Sequence, residues 1–243
     1  MALESFIGTS DERRYREYRR IKFQTFVREQ GWAGLGGEAS DGLADEDRFD
    51  GGGRFALART TVGDPVGVVR CLPLTEGFPH SELFRHHILQ EEVADTIPSL
   101  ATLNALAVLP EYRGRAYEVL CDGRIGTVCR LLLLEAMFRL AGEGVKGILA
   151  TVQSIISARA LMRVGFRLID KPATTPLHER FPLANVGIVL GSTEHVAAAI
   201  RCGVPWRLKR NHTPALLRLE QYFDRQQRAV LRSASLQELF RTR

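Results

Sequence analysis

Long apolar runs are missing from this chain of 243 residues. The longest candidate, Leu131–Leu134, is soon broken by Glu135 and Arg139, well short of the roughly 18 residues a membrane-spanning helix needs. The start, Met-Ala-Leu-Glu-Ser and then a charged stretch, lacks the apolar segment of a secretory signal, so a cytoplasmic protein is expected. Cysteine is scarce. Cys71, Cys121, Cys129 and Cys202 show no metal-ligand spacing and read as reduced thiols, which excludes a disulfide framework. His86-His87 has no Cys or Glu at metal spacing, and no metal is expected. Neither G-x-G-x-x-G nor G-x-x-x-x-G-K-[ST] occurs, which weakens a nucleotide-binding reading. There is no internal repeat and no low-complexity segment. No helix-turn-helix, zinc or aromatic-basic RNA motif is found, so a nucleic-acid-binding module has only charge in its favour.

What is present suits a globular protein with an ample core. The composition is 45% hydrophobic and 25% charged, with mean hydropathy −0.09. Lys and Arg number 33 against 28 Asp and Glu, a formal net charge of +5. A basic surface speeds encounter with acidic partners. Nucleic acid, anionic lipid and an acidic carrier protein all remain open on charge alone.

Apolar periodicity predicts a helix over Asp11–Glu29, where Tyr15, Tyr18, Ile21, Lys22 and Phe26 share a face. Ser10 is the expected cap and Gly31 the stop. Residues 33–53 are glycine-rich with an acidic run, and read as a loop. Phe55–Thr60 and Val66–Leu72 form a hairpin through Gly63-Asp64-Pro65. Ser81–Gln90 is a short helix. Ala101–Leu109 is a buried central strand stopped by Pro110, and Gly126–Ala141 an apolar helix. Then come a strand at Gly147–Val152, a helix at Ser157–Val164, and strands at Phe166–Ile169 and Val186–Leu190. Glu194–Arg201 and Pro214–Arg241 are expected to be helical. This order predicts an α/β (α+β) domain, with a mixed sheet flanked by helices.

The most informative stretch is Leu103-Asn-Ala-Leu-Ala-Val-Leu-Pro-Glu-Tyr-Arg-Gly-Arg115, a buried strand running into a turn with Arg113, Gly114 and Arg115. A helix is expected soon after. An open strand edge can pair with the amides of a pantetheine arm, and arginines with backbone N–H groups can hold its phosphates. An N–H near Leu106 or Val108 can polarise a thioester carbonyl. The stretch resembles the GNAT acyltransferase superfamily, whose pattern is a strand, then V-x-P-x-[YF]-R-G-x-G-x-G. Ala116 and Glu118 stand where the later glycines usually are, and a second Gly-Arg-Ile-Gly follows at Gly123–Gly126. Ser157-Ala-Arg-Ala-Leu-Met-Arg-Val-Gly-Phe166 resembles the second motif of that superfamily. The resemblance implies the GNAT fold, with a mixed, mostly antiparallel sheet over residues 1–205, and 206–243 forms a basic C-terminal helical extension packed on it.

The N-terminal half resembles one branch of that superfamily. Phe26 and Trp32, the run Asp45-Glu-Asp-Arg-Phe-Asp50, Arg70-Cys-Leu-Pro73 and Phe84 match the order and spacing of acyl-homoserine-lactone synthases and long-chain N-acyl amino acid synthases. Lys22 takes a position usually held by Arg, and Asp45 one usually held by Glu. The resemblance covers about residues 15–190. It implies that Asp45 or Asp47 is the base and that Arg70 pairs with the cluster of Asp45, Asp47 and Asp50. Crowding of these acids leads one to expect a raised pKa at one of them. Phe26, Trp32, Phe84, Thr102 and Asn104 would line the acyl and acceptor pocket. Leu106, Val108, Arg113, Gly114 and Arg115 would hold the phosphopantetheine thioester.

Lactone synthases carry E-x-x-R before the thioester motif, and here those positions are Thr102 and Ala105. S-adenosylmethionine is therefore in doubt as the acceptor, and an amino acid, polyamine or peptide amine is at least as good a fit. The expected activity is N-acyl transfer of a medium or long chain to a small amine. A lactone synthase and an acetyl-CoA-dependent acetyltransferase are the alternatives. No tightly bound cofactor is expected. The donor implied is acyl carrier protein or acyl-CoA, with Arg124, Arg130, Arg139 and Lys146 as a docking surface for the acidic carrier.

Overall fold

The computed structural model describes residues 1–31, 41–76, 99–120, 125–152, 161, 166–170 and 187–192. Nine strands are described: β1 (Ala2–Ile7), β2 (Arg54–Arg59), β3 (Pro65–Pro73), β4 (Leu100–Val108), β5 (Ala116–Glu118), β6 (Ile125–Thr127), β7 (Gly147–Val152), β8 (Arg167–Asp170) and β9 (Gly187–Ser192). Seven of them build one sheet in the order β1-β2-β3-β4-β7-β9-β8, while β5 and β6 pair separately. Every neighbouring pair in the large sheet is antiparallel except β4 and β7, which are parallel. The predicted mixed, mostly antiparallel sheet is what the chain forms.

Helix α1 (Glu12–Lys22) and helix α2 (Val128–Gly142) cover opposite faces of the sheet. Tyr15, Tyr18 and Ile21 of α1 pack with Phe55, Leu57, Val68 and Ala107. Leu131, Leu132, Met137 and Leu140 of α2 pack with Ala56, Val69, Cys71 and Leu103 on the other side. The alternation of β2 and β3 supplies both cores, since neighbouring residues point to opposite faces. Phe55 anchors the α1 side, stacked on Phe6 at 4.8 Å and edge-on to Tyr18 at 4.7 Å. Cys71 and Cys129 are free thiols; burial pushes them up to about 12 and about 11, so both stay protonated at neutral pH.

Close approach of α2 to the sheet depends on Gly67. A Cβ there would stand 2.8 Å from Val128 Cγ1 and 3.0 Å from Leu132 Cδ1. The Val128 side chain is short and stiff, so the helix itself has to move. Gly67→Ala is expected to lower stability by about 1–3 kcal/mol, read as a shift in urea midpoint at unchanged slope.

Four differences from the sequence reading have local causes. The α1 cap is Asp11, not Ser10: the Asp11 carboxylate accepts from the Arg14 amide at 3.0 Å. The predicted Asp11–Glu29 helix is α-helical only to Lys22, and Phe23–Glu29 continues as a π-helix. Strand β1 went unread because it is an edge strand with little burial before Phe6. Strands β5 and β6, which pair between Arg115 and the predicted Gly126–Ala141 helix, went unread, and that helix, α2, begins at Val128, with the Thr127 hydroxyl accepting from Arg130 N.

The predicted helices over 81–90, 194–201 and 214–241, together with the 205/206 boundary, lie outside the described residues, and of the one over 157–164 only the helical, buried Leu161 is described. Among the described residues no helix is long and apolar enough to cross a membrane.

Candidate active site

Strand β4 is irregular where it matters. Its register against β3 shifts between Val68 and Arg70, and Ala105 has φ 49°, a left-handed conformation that costs a non-glycine residue about 1–2 kcal/mol. The bulge switches faces. Ala101 and Leu103 belong to the α2-side core, whereas Ala105 and Ala107 lie on the α1 side and Val108 returns to the α2 side.

Pairing of β4 with β7 runs only from Leu100↔Gly147 to Leu103↔Ala150, although β4 continues to Val108. Beyond Leu103 the two strands have no register, and among the described residues that edge of β4 has no partner. The Leu109 amide donates to Val66 O at 2.9 Å, toward β3. Backbone amides alternate sides along a strand. Those of Leu106 and Val108 therefore turn toward the gap beside β7.

On the α1 face, next to the bulge, lies a buried charge cluster. Arg70 and Asp50 are 3% and 1% exposed. Arg70 Nη1 donates to Asp50 Oδ1 and, at 2.9 Å, to Asp47 Oδ2. Asp50 Oδ2 accepts from the Tyr15 hydroxyl at 2.7 Å and from the Asp47 amide at 3.1 Å. Both Asp50 oxygens are thus engaged. Such a group fixes the loop, and a free general base does not look like this. Asp47 keeps more solvent contact and also accepts from the Phe49 amide at 3.0 Å. Asp45 is exposed and stands apart from these contacts.

The pKa change at Asp47 runs opposite to the one expected from crowded acids. Burial raises it, but Arg70, the Phe49 amide and Lys22 outweigh burial and hold the carboxyl below its usual range. Its contribution to stability is present above its unfolded value of about 3.9 and is lost as pH falls through the lower folded value. Asp47→Asn is expected to flatten that acid limb, as seen in urea midpoints collected between about pH 5 and pH 2.

Of the buried polar atoms without a hydrogen-bond partner among the described residues, Tyr18 Oη and Arg70 Nε lie on this face, and Thr25 Oγ1 on the π-helix. Lys22, only 3% exposed, holds its ammonium 5.8 Å from the Tyr18 ring. Burial and Arg70 depress its pKa against the pull of Asp50 and Asp47. Tyr18, Lys22 and Thr25 follow one another at helical spacing on α1 and the π segment. Phe26 is buried beside them, 9% exposed. On the neighbouring strand, Asn104 stands opposite Arg70 in the ladder, and its amide donates to Thr102 Oγ1 at 2.7 Å. Leaving such groups unsatisfied costs about 1–3 kcal/mol each.

Of the residues singled out in the sequence, Asp47, Asp50, Arg70, Phe26, Thr102 and Asn104 gather on this face, and Leu106 and Val108 border the gap. Arg113 lies in the turn after β4 and is tied to Val108 O at 2.7 Å and to Glu29. Gly114 beside it has φ 72°, and Arg115 is exposed. Trp32, Phe84 and Arg124 fall outside the described residues. Tyr15 and Tyr18 were missed as site residues because at helical spacing they read as core, and nothing in the sequence singled out Thr25. Among the described residues no group of three His, Cys, Asp or Glu side chains is placed to hold a metal.

No protein-family model matches the chain, and no curated protein matches its sequence. Solved structures do. The TofI protein in a ternary complex with an inhibitor and MTA is 19% identical with a TM-score of 0.60, over 82% of this chain and 96% of that one. The CoA-dependent acyl-homoserine lactone synthase BjaI, with SAM and isopentyl-CoA, is 16% identical with a TM-score of 0.60, over 90% and 99%. The AHL synthase LasI is 14% identical with a TM-score of 0.55, over 86% and 98%. The chain has a GNAT-type fold. More particularly, it has that fold as acyl-homoserine lactone synthases carry it, in agreement with the sequence resemblance.

Proposed function

We propose that this protein is an N-acyltransferase that moves a medium- or long-chain acyl group from a phosphopantetheine thioester to the amine of a small polar molecule. The observation that carries the reading is the edge of β4 beyond Leu103, without a partner among the described residues, set against a buried polar cleft with unpartnered donors. An extended thioester arm would add to that edge as a strand. The Leu106 or Val108 amide would then meet the thioester oxygen and stabilise the charge that develops on it during attack. The turn at Arg113, Gly114 and Arg115 would receive the phosphates. The donor is acyl carrier protein or acyl-CoA, and no tightly bound cofactor is needed.

The acceptor amine would enter from the α1 face, between Phe26, Thr102 and Asn104. Tyr18 Oη, Thr25 Oγ1 and Arg70 Nε supply the polar partners it needs. The attacking amine must be neutral. Asp47, or water held by it, is the proton acceptor best placed by solvent contact, because Asp50 is saturated. A carboxyl held below its usual range is a weak base, so the proton passes on to solvent. Uncharged Thr102 and Ala105, at the positions of E-x-x-R, favour an acceptor other than S-adenosylmethionine.

The test is mass spectrometry of lipid extracts from cells expressing the chain, beside cells expressing the Tyr18→Phe/Thr25→Val form. A new acylated amine is expected with the intact protein, and much less of it with the variant. Failure of the purified protein to cleave either acyl-carrier or acyl-CoA thioesters in a mixture of amines would end this reading.

A further inference from the structure

Arg113 is not free in the protein described here. Its Nε donates to Val108 O at 2.7 Å, and Nη1 and Nη2 both donate to Glu29, the latter at 2.6 Å. Glu29 closes the π-helix that also carries Thr25 and Phe26. The two ends of the pair come from different walls of the cleft, one from the turn after β4 and one from the acceptor-side helix. Side-chain exposure is 40% for Arg113 and 36% for Glu29, so a phosphate in solvent can reach the fork. The Glu29 carboxyl is itself held below the usual range by Arg113.

A guanidinium fork accepts one bidentate partner at a time, and carboxylate and phosphate both match it. We propose that Glu29 occupies Arg113 as an internal stand-in for the donor's phosphate, so that a phosphopantetheine donor must displace Glu29 to seat itself. This rests on the reading of the β4 turn as the donor's phosphate site. Glu29 is then a residue that sets donor affinity. Its release on donor arrival also detaches the end of the segment bearing Thr25 and Phe26 from the β4 turn. The anion stays exchangeable because the pair is exposed; a buried pair would be too costly to open.

The test is direct binding of coenzyme A and of phosphopantetheine-loaded carrier protein to the full chain, by calorimetry, for wild type, E29Q, R113Q and the double variant. E29Q is expected to tighten binding about two- to five-fold, the worth of an exposed pair. R113Q should weaken binding, and E29Q should add nothing in the R113Q background. Thermal melts check that all four proteins are folded. If R113Q weakens binding but E29Q leaves it unchanged or weaker, Glu29 is no competitor and the inference falls while the donor site stands. If R113Q has no effect, the inference falls with the assignment of Arg113 to the phosphates. If wild type binds neither probe, the acyltransferase reading fails as well.

Discussion

Arg70→Met is expected to remove about 3–5 kcal/mol of folding stability, among the largest losses for any single change outside the hydrophobic core. Asp50 is 1% exposed, and its charge is tolerated because Arg70, the Tyr15 hydroxyl and the Asp47 amide all point at it. Methionine fills the volume and leaves the carboxylate without its cation. The loop from Asp47 to Gly53 would lose its tie to β3, and with it the wall of the cleft. Urea unfolding would show the loss as a lower midpoint. The double variant Asp50→Asn/Arg70→Met should be distinctly more stable than the sum of the two single changes predicts, because each removes what strands the other. If Arg70→Met does not fold, Arg70→Lys tests the same point: it keeps the charge, loses the fork, and should give an intermediate loss. A methionine variant as stable as wild type would show that the cluster does not hold the loop.

Tyr18→Phe and Thr25→Val are expected to behave in the opposite way, leaving stability unchanged or slightly higher while lowering acceptor kcat/KM about ten- to a hundred-fold. Their hydroxyls are buried without a partner among the described residues. Removing them relieves an unmet demand for hydrogen bonds, where most buried truncations create one. If the acceptor supplies the missing partner, the cost falls on its transition state, and about 1.4 kcal/mol accompanies each factor of ten. Donor KM should stay put if, as proposed, the thioester arm pairs with the edge of β4 and not with the α1 face. The idea fails if the variants unfold more easily and acceptor kinetics do not change, because the hydroxyls would then be structural.

Much of the fold could be read from the chain. The two apolar runs Phe55–Thr60 and Val66–Leu72, joined at Gly63-Asp64-Pro65, pointed to the hairpin, and the apolar run after Thr127 to a covering helix. The charge cluster was legible in part. The resemblance to acyl-homoserine-lactone synthases implied that Asp47, Asp50 and Arg70 act as a set, but their roles were not written there. Crowded acids suggested a raised pKa, yet Arg70 lies closer to Asp47 than sequence distance can indicate, and the direction reverses. Tyr18 looked like core for a similar reason. Helical periodicity says which face is buried, not whether a hydroxyl on it finds a partner.

Apolar period and turn chemistry, which act locally, carried the order of α1, the β2–β3 hairpin, β4, α2, β7, β8 and β9 but not β1, β5 or β6, and the likeness to acyl-homoserine lactone synthases lay in the motifs that resemble that family. The tertiary structure decided four things. They are the bulge at Ala105 that carries Asn104 and Ala105 to one face, the loss of register between β4 and β7 after Leu103, the saturation of Asp50, and the pairing of Glu29 with Arg113. Each depends on segments far apart in the chain meeting at a set distance. Coulomb and hydrogen-bond energies depend on that distance, and periodicity carries no record of it.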